Sequence, residues 1–341
     1  MDFFNFWSQD IAIDLGTANT LILHNDKVVV DQPSIVARDV RTEKIVAIGK
    51  EALRMHGRTH QNIRTIRPLK DGVIADFQAA EQMIRGMIKM IPRKRTLINP
   101  QLKMVICIPS GITEVEKRAV KDSAEHAGAK DVYLIHEPMA AAIGIGIDVL
   151  EPKGNMIIDV GGGTTEIAVI SLGGIVTDRS IKIAGDDFTH DIREYMKTKH
   201  NIAIGERMAE KIKINCGSAL EELKEEEPPL YPVHGRDLRT GIPKEIKVSY
   251  HEIAKALNNT VARIEEAVSA ALFNTPPELS ADIYNTGIYL TGGGSLLRGL
   301  DQRLKQKTKL PVHIPEDPLR AVAQGTGIAL KNTDKFPFLI R

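Results

Sequence analysis

One pattern occurs twice in this chain and constrains its fold more than any other feature. Residues 11–22 read as an apolar strand that ends in Asp14, a turn rich in Gly and Thr, and a second apolar strand. Residues 156–170 repeat this order, with Asp159 before the turn. Such a repeat indicates an internal duplication. We expect the two units to lie in two lobes, with their turns facing each other across a cleft.

The rest of the sequence predicts an α/β fold around these repeats. A chain of 341 residues exceeds the size at which one hydrophobic core usually keeps growing, so at least two lobes are expected. Predicted strands alternate with predicted helices at 114–127, 205–226 and 251–273. The first of these helices has the clearest end signals, with Thr113 and Glu116 as a capping box and Gly128 at its end.

The composition argues against several classes of protein. Charged residues make up 26% and the net charge is +1, so no global field attracts nucleic acid, and we expect no nucleic-acid partner. Cys107 and Cys216 lack the spacing of a zinc site or a disulfide framework and are predicted to be reduced and buried. No apolar run is long enough to cross a bilayer and the first residues do not read as a signal peptide, which predicts a cytoplasmic protein.

The turns themselves predict a phosphate site. Glycine lets backbone N–H groups approach anionic oxygens closely, and hydroxyls add further donors. A single turn of this kind is as often an ordinary hairpin, but a third glycine-rich turn follows at 292–294. Asp14 and Asp159 each stand at the strand end before a turn, where paired carboxylates suit the water shell of a Mg²⁺ ion that bridges phosphates.

These residues resemble a known group of proteins. The segments 14–20, 159–165 and 292–294 are similar to those of the actin, Hsp70 and sugar-kinase ATPase superfamily. Segments 107–113, 136–144, 183–187 and 205–211 are similar to MreB-type bacterial actins, and the resemblance covers residues 9 to about 335. It implies an actin-like ATPase fold of two lobes with duplicated RNase H-like domains and ATP at the base of the cleft. The implied subdomains are IA (9–33, 78–147 and 318–341), IB (34–77), IIA (148–184 and 250–317) and IIB (185–249).

The resemblance also assigns nucleotide-binding residues. Around the phosphates it implies Gly16, Thr17, Ala18, Asn19, Gly161, Gly162, Gly163 and Thr164. Under the adenosine it implies Gly292, Gly293 and Gly294. Glu210 and Lys213 lie on one face of the predicted helix at 205–226 and resemble residues that contact ribose and base. Their alternative interpretation is an ordinary surface ion pair.

Hydrolysis of ATP needs an oriented water in line with the terminal phosphate. By resemblance, Glu137 is the residue that orients this water and Thr164 assists it. The alternative for Glu137 is an acid that interacts with the dipole of the Ala-rich helix after it, and both roles are compatible. A carboxylate that only positions water predicts slow ATP hydrolysis. In a polymer, hydrolysis of this kind distinguishes recently added subunits from older ones.

The implied function is an ATP-dependent cytoskeletal filament that maintains cell shape by organising peptidoglycan synthesis. The implied partners are copies of the chain, in antiparallel double protofilaments joined through helix 114–127, and RodZ with the MreC/MreD elongation complex. An actin-fold sugar kinase and an Hsp70-like ATPase are the alternatives. No segment marks a sugar pocket, and the chain ends soon after its third turn, without a peptide-binding domain.

Two segments predict contact with the inner face of the membrane. The first, residues 1–8, holds four of the chain's aromatic residues on one side of a helical wheel, Phe3, Phe4, Phe6 and Trp7. The second has a basic run at 93–95 that precedes Leu97 and Ile98 in a predicted loop, so that cations meet anionic headgroups while the apolar pair inserts. The alternatives are an N-terminal staple on the protein's own core and a solvated basic turn.

Overall fold

The computed structural model describes residues 8–91, 101–223 and 227–341. The elements of the first half of the chain are, in order, β1 (Ser8–Leu15), β2 (Asn19–His24), β3 (Lys27–Pro33), β4 (Val36–Asp39), β5 (Ile45–Ile48), α1 (Lys50–Met55), β6 (Ile63–Ile66), β7 (Leu69–Lys70), β8 (Val73–Ile74), α2 (Phe77–Lys89), β9 (Gln101–Ile108), α3 (Glu114–His126), β10 (Ala129–His136) and α4 (Glu137–Gly144).

The second half contains, in order, β11 (Asn155–Val160), β12 (Thr165–Ser171), β13 (Gly174–Ile181), α5 (Gly185–His200), β14 (Ile202–Ala203), α6 (Glu206–Cys216), β15 (Tyr231–Asp237), β16 (Pro243–Val248), α7 (Tyr250–Phe273), α8 (Pro277–Thr286), β17 (Ile288–Thr291), a 3₁₀ turn (Gly293–Leu296), α9 (Leu300–Thr308), β18 (Val312–His313) and α10 (Ala321–Lys331).

Two five-stranded sheets of the same design confirm the predicted duplication. Sheet I has the order β10-β9-β1-β2-β3 and sheet II the order β13-β12-β11-β17-β18. In each sheet the repeat supplies three antiparallel strands, and two further strands extend it in parallel from the first strand of the repeat. Asp14 and Asp159 are each the last residue but one of that first strand, so they occupy equivalent places in the two sheets.

Each large sheet is accompanied by a small one. The first small sheet has the order β5-β4-β6 and packs with α1, and the second has the order β14-β15-β16 and packs with α6. A separate hairpin of β7 and β8 follows the first small sheet. We call the part of the chain with sheet I lobe I and the part with sheet II lobe II.

Helices α4 and α10 join the two lobes. They pack in one apolar cluster with inward-facing residues of both large sheets, among them Ala12, Val105, Ile157 and Ala168. A Cβ atom added to Gly325 would lie 1.7 Å from the carbonyl oxygen of Ala140, and one added to Gly144 would lie 1.9 Å from that of Ala321. The two helices therefore cross at backbone contact, which only glycine allows at these positions.

Two helix predictions had different outcomes. The capping box of α3 is confirmed, because Glu116 accepts from the Thr113 N–H at 2.8 Å and the Glu116 N–H donates to the Thr113 hydroxyl. The predicted helix 205–226 was wrong at its end, since α6 stops at Cys216. There the Arg298 guanidinium donates to the Asn215 and Gly217 carbonyls, which replaces the next helical turn. Both cysteines are buried and free, as predicted.

Almost all residues of the two predicted membrane segments lie outside the described structure, and the exception corrects a boundary, because Ser8, assigned to the first segment, begins β1 instead. Phe3, Phe4, Phe6, Trp7, Leu97 and Ile98 lie outside the described residues. In the parts of the chain that the structure describes, no helix has the length and apolar character needed to span a bilayer.

Candidate nucleotide site

The turns of the two repeats contact each other between the lobes. The first turn follows β1 and contains residues 16–18, and the second turn joins β11 to β12 and contains residues 161–164. A Cβ atom on Gly162 would lie 2.7 Å from the Cβ atom of Ala18, and one on Gly163 would lie 2.8 Å from the Thr17 hydroxyl oxygen. The glycines of the second turn therefore permit the close approach of the first, and the prediction that the two turns face each other is confirmed.

Hydrogen bonds from neighbouring segments fix the backbone of both turns. Ser34, which is fully buried, donates its hydroxyl to the Gly16 carbonyl at 2.6 Å and its N–H to the Ala18 carbonyl at 2.9 Å. In the second turn, the Gly161 and Gly162 carbonyls accept from the first two N–H groups of α5 at 3.1 and 2.8 Å. The sequence analysis missed Ser34, because nothing in its local sequence links it to the first turn.

A third segment approaches the same space from lobe I. The hairpin of β7 and β8 turns at Asp71 and Gly72, which both have positive φ, and the Gly72 N–H donates to the Thr17 hydroxyl at 3.1 Å. A Cβ atom on Gly163 would lie 3.0 Å from the Asp71 nitrogen, and one on Gly72 would lie 3.0 Å from the Thr164 methyl carbon. The sequence analysis missed this hairpin, although an Asp-Gly pair between two strands is its usual signal.

Asp14 and Asp159 lie at the base of this space. The Cys107 thiol donates to Asp14 at 3.1 Å, and the Thr291 hydroxyl donates to Asp159 at 2.7 Å. Burial raises the pKa of Asp14 to about 6 and that of Asp159 to about 7, although these hydrogen bonds act in the opposite direction. The Asp14 charge contributes to the raised pKa of Asp159. Buried acids that repel each other suit a bound cation, so this pair fits a hydrated Mg²⁺ ion.

Glu137 belongs to the same cluster of acids. It is the first residue of α4, and burial followed by the charges of Glu166, Asp159 and Asp14 raises its pKa well above the usual value. Thr164, its predicted helper, is buried at the end of the second turn. Glu137 also lies at a helix N-terminus, where its charge interacts with the helix dipole, so the two roles predicted for it are compatible.

The sequence analysis missed Glu166, the fourth acid of the cluster. It is fully buried on β12 and accepts from the Ser110 N–H and hydroxyl at 3.1 and 2.5 Å and from the Ser180 hydroxyl at 2.6 Å. These bonds join the loop after β9, in lobe I, to two strands of lobe II. Its partners are distant in the chain, so no local pattern identified it.

The third turn lies behind Asp159. A Cβ atom on Gly292 would lie 2.4 Å from the Val160 carbonyl oxygen, and one on Gly294 would lie 2.2 Å from a Val160 side-chain carbon. Gly293, between them, is next to Leu319. The three glycine-rich turns are thus gathered at the ends of the central strands of the two sheets.

Glu210 and Lys213 form the ion pair of the alternative interpretation, at 2.7 Å, but this pair is attached to the site. The Lys213 ammonium donates to the Gly185 carbonyl at 2.9 Å, and the Gly185 N–H in turn donates to the second turn. Thr189 bridges both side chains. The pair therefore anchors α6 to the first turn of α5, and its contact with ribose and base stays a prediction.

Two duplicated sheets, with glycine-rich turns that meet over buried acids, define the actin-like ATPase fold. The sequence profile of the family described as MreB/Mbl protein matches residues 8–337. The chain therefore belongs to the MreB/Mbl family.

Individual relatives agree with this assignment. The chain is 49% identical to the cell shape-determining protein Mbl of Bacillus subtilis over 332 residues, which cover 97% of this chain and 98% of the relative. It is 45% identical to the cell shape-determining protein MreB of Escherichia coli over 339 residues, with 97% and 96% covered.

Solved structures of relatives have the same fold. The crystal structure of MreB5 of Spiroplasma citri bound to AMPPNP superposes with a TM-score of 0.90 and 41% identity, and covers 96% of this chain and 97% of that one. A MamK double helical filament has a TM-score of 0.79 at 21% identity, with 97% and 100% covered, and supports the fold alone.

Proposed function

We propose that this chain is a bacterial actin that binds ATP and assembles into filaments that maintain cell shape by organising peptidoglycan synthesis. The observation that carries the proposal is the direct contact of two equivalent turns above Asp14 and Asp159. Two relatives are named cell shape-determining proteins, and MreB5 of Spiroplasma citri has been crystallised with AMPPNP. In this proposal the four predicted subdomains are the two large sheets, as IA and IIA, and the two small sheets, as IB and IIB.

The phosphates of ATP bind between the first and second turns, where backbone N–H groups and the Thr17 and Thr164 hydroxyls supply donors. Asp14 and Asp159 would hold the water shell of a Mg²⁺ ion at this place, and such an ion would supply positive charge to neutralise the phosphates. The adenosine lies against the third turn, and Glu210 with Lys213 borders its ribose and base. The raised pKa values of the two aspartates support this assignment, because burial without a cation disfavours their ionised forms.

In the proposed hydrolysis, Glu137 orients the attacking water and Thr164 assists it. Glu137 lies in the acid cluster at the start of α4, and the joined α4 and α10 hold its backbone in place. A carboxyl group that orients water without a further base supports slow turnover. We therefore propose a slow ATPase whose hydrolysis is coupled to polymerisation.

The proposed location is the cytoplasm, at the inner face of the membrane. The proposed partners are further copies of the chain in antiparallel double protofilaments, the membrane surface, and RodZ with the MreC/MreD complex. Self-assembly is part of this proposal because the chain belongs to the MreB/Mbl family and its sequence resembles bacterial actins. Membrane contact rests on residues 1–8 and on Leu97 and Ile98 of the sequence.

The test is sedimentation of the purified chain with ATP, with ADP and without nucleotide, beside an assay for phosphorylation of hexoses. A pellet that forms with ATP, together with slow phosphate release and no sugar phosphate, supports the filament. Sugar phosphate without a pellet would instead identify an actin-fold kinase. ATP hydrolysis that is stimulated by an unfolded peptide, without a pellet, would identify an Hsp70-like ATPase.

A further inference from the structure

A cluster of charged side chains joins the two lobes through their small sheets. Glu206, the first residue of α6, faces two residues of lobe I that are far from it in sequence. One carboxylate oxygen accepts from the Arg67 guanidinium at 2.7 Å, and the other lies 3.1 Å from the His56 Nε2 atom. The second ring nitrogen of His56 lies 2.8 Å from the Thr65 hydroxyl on β6, so the ring is fixed to the first small sheet.

These contacts are the polar links between the region of the first small sheet and lobe II. Within the described parts of the chain, no other hydrogen bond or ion pair joins residues 34–77 to residues 148–250. All three side chains are about one-third exposed, at 28%, 29% and 35% for His56, Arg67 and Glu206. Both carboxylate oxygens are occupied, and half-buried charge-assisted hydrogen bonds are stronger than exposed ion pairs.

The cluster lies next to the second turn. Asp186 donates its N–H to the Gly162 carbonyl of that turn. Burial raises the pKa of Asp186, while the charge of Arg67 lowers it and that of Glu206 raises it, so both side chains lie within electrostatic range. The same helix that begins with Glu206 carries Lys213, which is bonded to the Gly185 carbonyl beside the turn. If Arg67 and Glu206 separated, α6 would therefore move, and with it the Gly185 carbonyl beside the second turn.

We propose that His56, Arg67 and Glu206 form an ionic latch across the cleft, which must open before a bound nucleotide leaves. The proposal rests on the nucleotide binding proposed above. In the closed state, Glu206 at the start of α6 faces His56 and Arg67 of lobe I. The latch thus sets the rate of nucleotide exchange, separately from the residues that contact the phosphates.

The first test measures the rate at which a fluorescent ADP leaves the full-length chain after excess unlabelled ATP is added. Arg67→Gln and Glu206→Gln each remove one side of the latch, and we expect release about fivefold faster, as for the loss of a half-buried charge-assisted bond. The double variant Arg67→Glu with Glu206→Arg restores opposite charges and should recover most of the slow release. Arg64→Gln, at the exposed residue of β6 in the same small sheet, is the matched control and should leave the rate unchanged.

The second test reads the distance between the lobes without nucleotide. Spin labels on Thr42→Cys and Arg239→Cys, both exposed, report the separation of the two small sheets, and the native cysteines are buried. Glu206→Gln should shift the distance distribution to longer values, and the charge-reversed pair should shift it back. Release and distance equal to those of Arg64→Gln would overturn the latch. A parent chain that binds no nucleotide would overturn the proposed function, while the distances would still decide whether the latch exists.

Discussion

Asp159 shows what a buried acid contributes to this site. The Thr291 hydroxyl stabilises its ionised form, but burial and the nearby acids raise its pKa to about 7. Asp14 has the same arrangement with Cys107 as the donor. Two ionised carboxylates are therefore unfavourable in this buried place, and the proposed cation would offset their repulsion. Glu137 differs, since its carboxyl group lies at a helix start rather than at a strand end.

The first prediction separates the roles of two acids. Asp159→Ala should abolish measurable ATP affinity, because it removes the carboxylate assigned to the metal. Glu137→Ala should keep ATP binding and assembly but slow phosphate release, because only the water loses its acceptor. Equilibrium binding and phosphate release under assembly conditions are the measurements. Hydrolysis by Glu137→Ala at the parent rate would contradict the assignment.

The second prediction concerns pH. Burial alone would raise the pKa of Glu206, but the Arg67 charge and the hydrogen bonds from Arg67 and His56 outweigh it and lower the pKa below the ordinary 4.5. The stability from the ionised carboxylate is therefore fully present above the unfolded-state pKa and is lost as the pH falls through the lower folded-state pKa. The difference in unfolding free energy between the parent and Glu206→Gln should be largest above the ordinary pKa of 4.5 and should shrink as the pH falls below it. A difference that stays constant in urea titrations would count against the ion pair.

At the scale of single elements, α3 presents an unusual face. Its exposed surface is mostly charged, yet Val115 is 80% exposed among Glu114, Glu116, Lys117 and Arg118. A lone exposed valine is common on protein surfaces and needs no partner. The proposed antiparallel pairing of protofilaments nevertheless gives this residue a contact across the seam.

Val115→Glu should therefore split double filaments into single ones in electron micrographs, because it places a desolvated charge at the seam. The substitution is on the surface, so the free energy of unfolding should change little. Arg118→Ala, one turn further along the helix, shows whether a change of charge alone has the same effect. Doublets that persist in Val115→Glu would exclude α3 from the seam.

The crossing of α4 and α10 leads to the fourth prediction. Gly325→Ala would place a methyl group at the Ala140 carbonyl, so the helices must separate, at a cost of about 2–3 kcal/mol. Gly205→Ala is the control, because Gly205 has negative φ and nothing within 4 Å of an added Cβ atom. Thermal unfolding should show a lower midpoint for Gly325→Ala alone. Equal midpoints would mean that the helices adjust without cost.

The elements also show what the sequence determines locally. The two repeats, the capping box of α3 and the third turn were predictable, because their signals lie within a few adjacent residues. The end of α6 was not, since Arg298, far along the chain, supplies the bonds that end it. Ser34, Glu166 and the Arg67–Glu206 pair were missed for the same reason, as each acts on a segment distant in sequence.

At the scale of the whole molecule, the filament should multiply weak membrane contacts. We expect the aromatic segment at residues 1–8 and the apolar pair Leu97 and Ile98 each to bind weakly alone, but many copies along a polymer add by avidity. We expect monomers to bind anionic liposomes weakly and polymers firmly. Co-sedimentation should show loss of binding for a variant that lacks residues 1–8 and carries Leu97→Ser and Ile98→Ser, with assembly intact. Equal binding by this variant and the parent would remove both segments as the anchor.

The way the chain runs between the two lobes determines which lobe is completed first during synthesis. Sheet II is complete within the continuous stretch from Asn155 to His313, whereas lobe I begins with β1 and receives α10 only after all strands of sheet II have been made. Until α10 has been made, it cannot pack on its face of sheet I, which includes Ala12 and Leu23. As the chain leaves the ribosome, the strands of lobe II are therefore all available for folding before lobe I has received α10. During that interval, lobe I exposes an apolar surface that chaperones are able to bind.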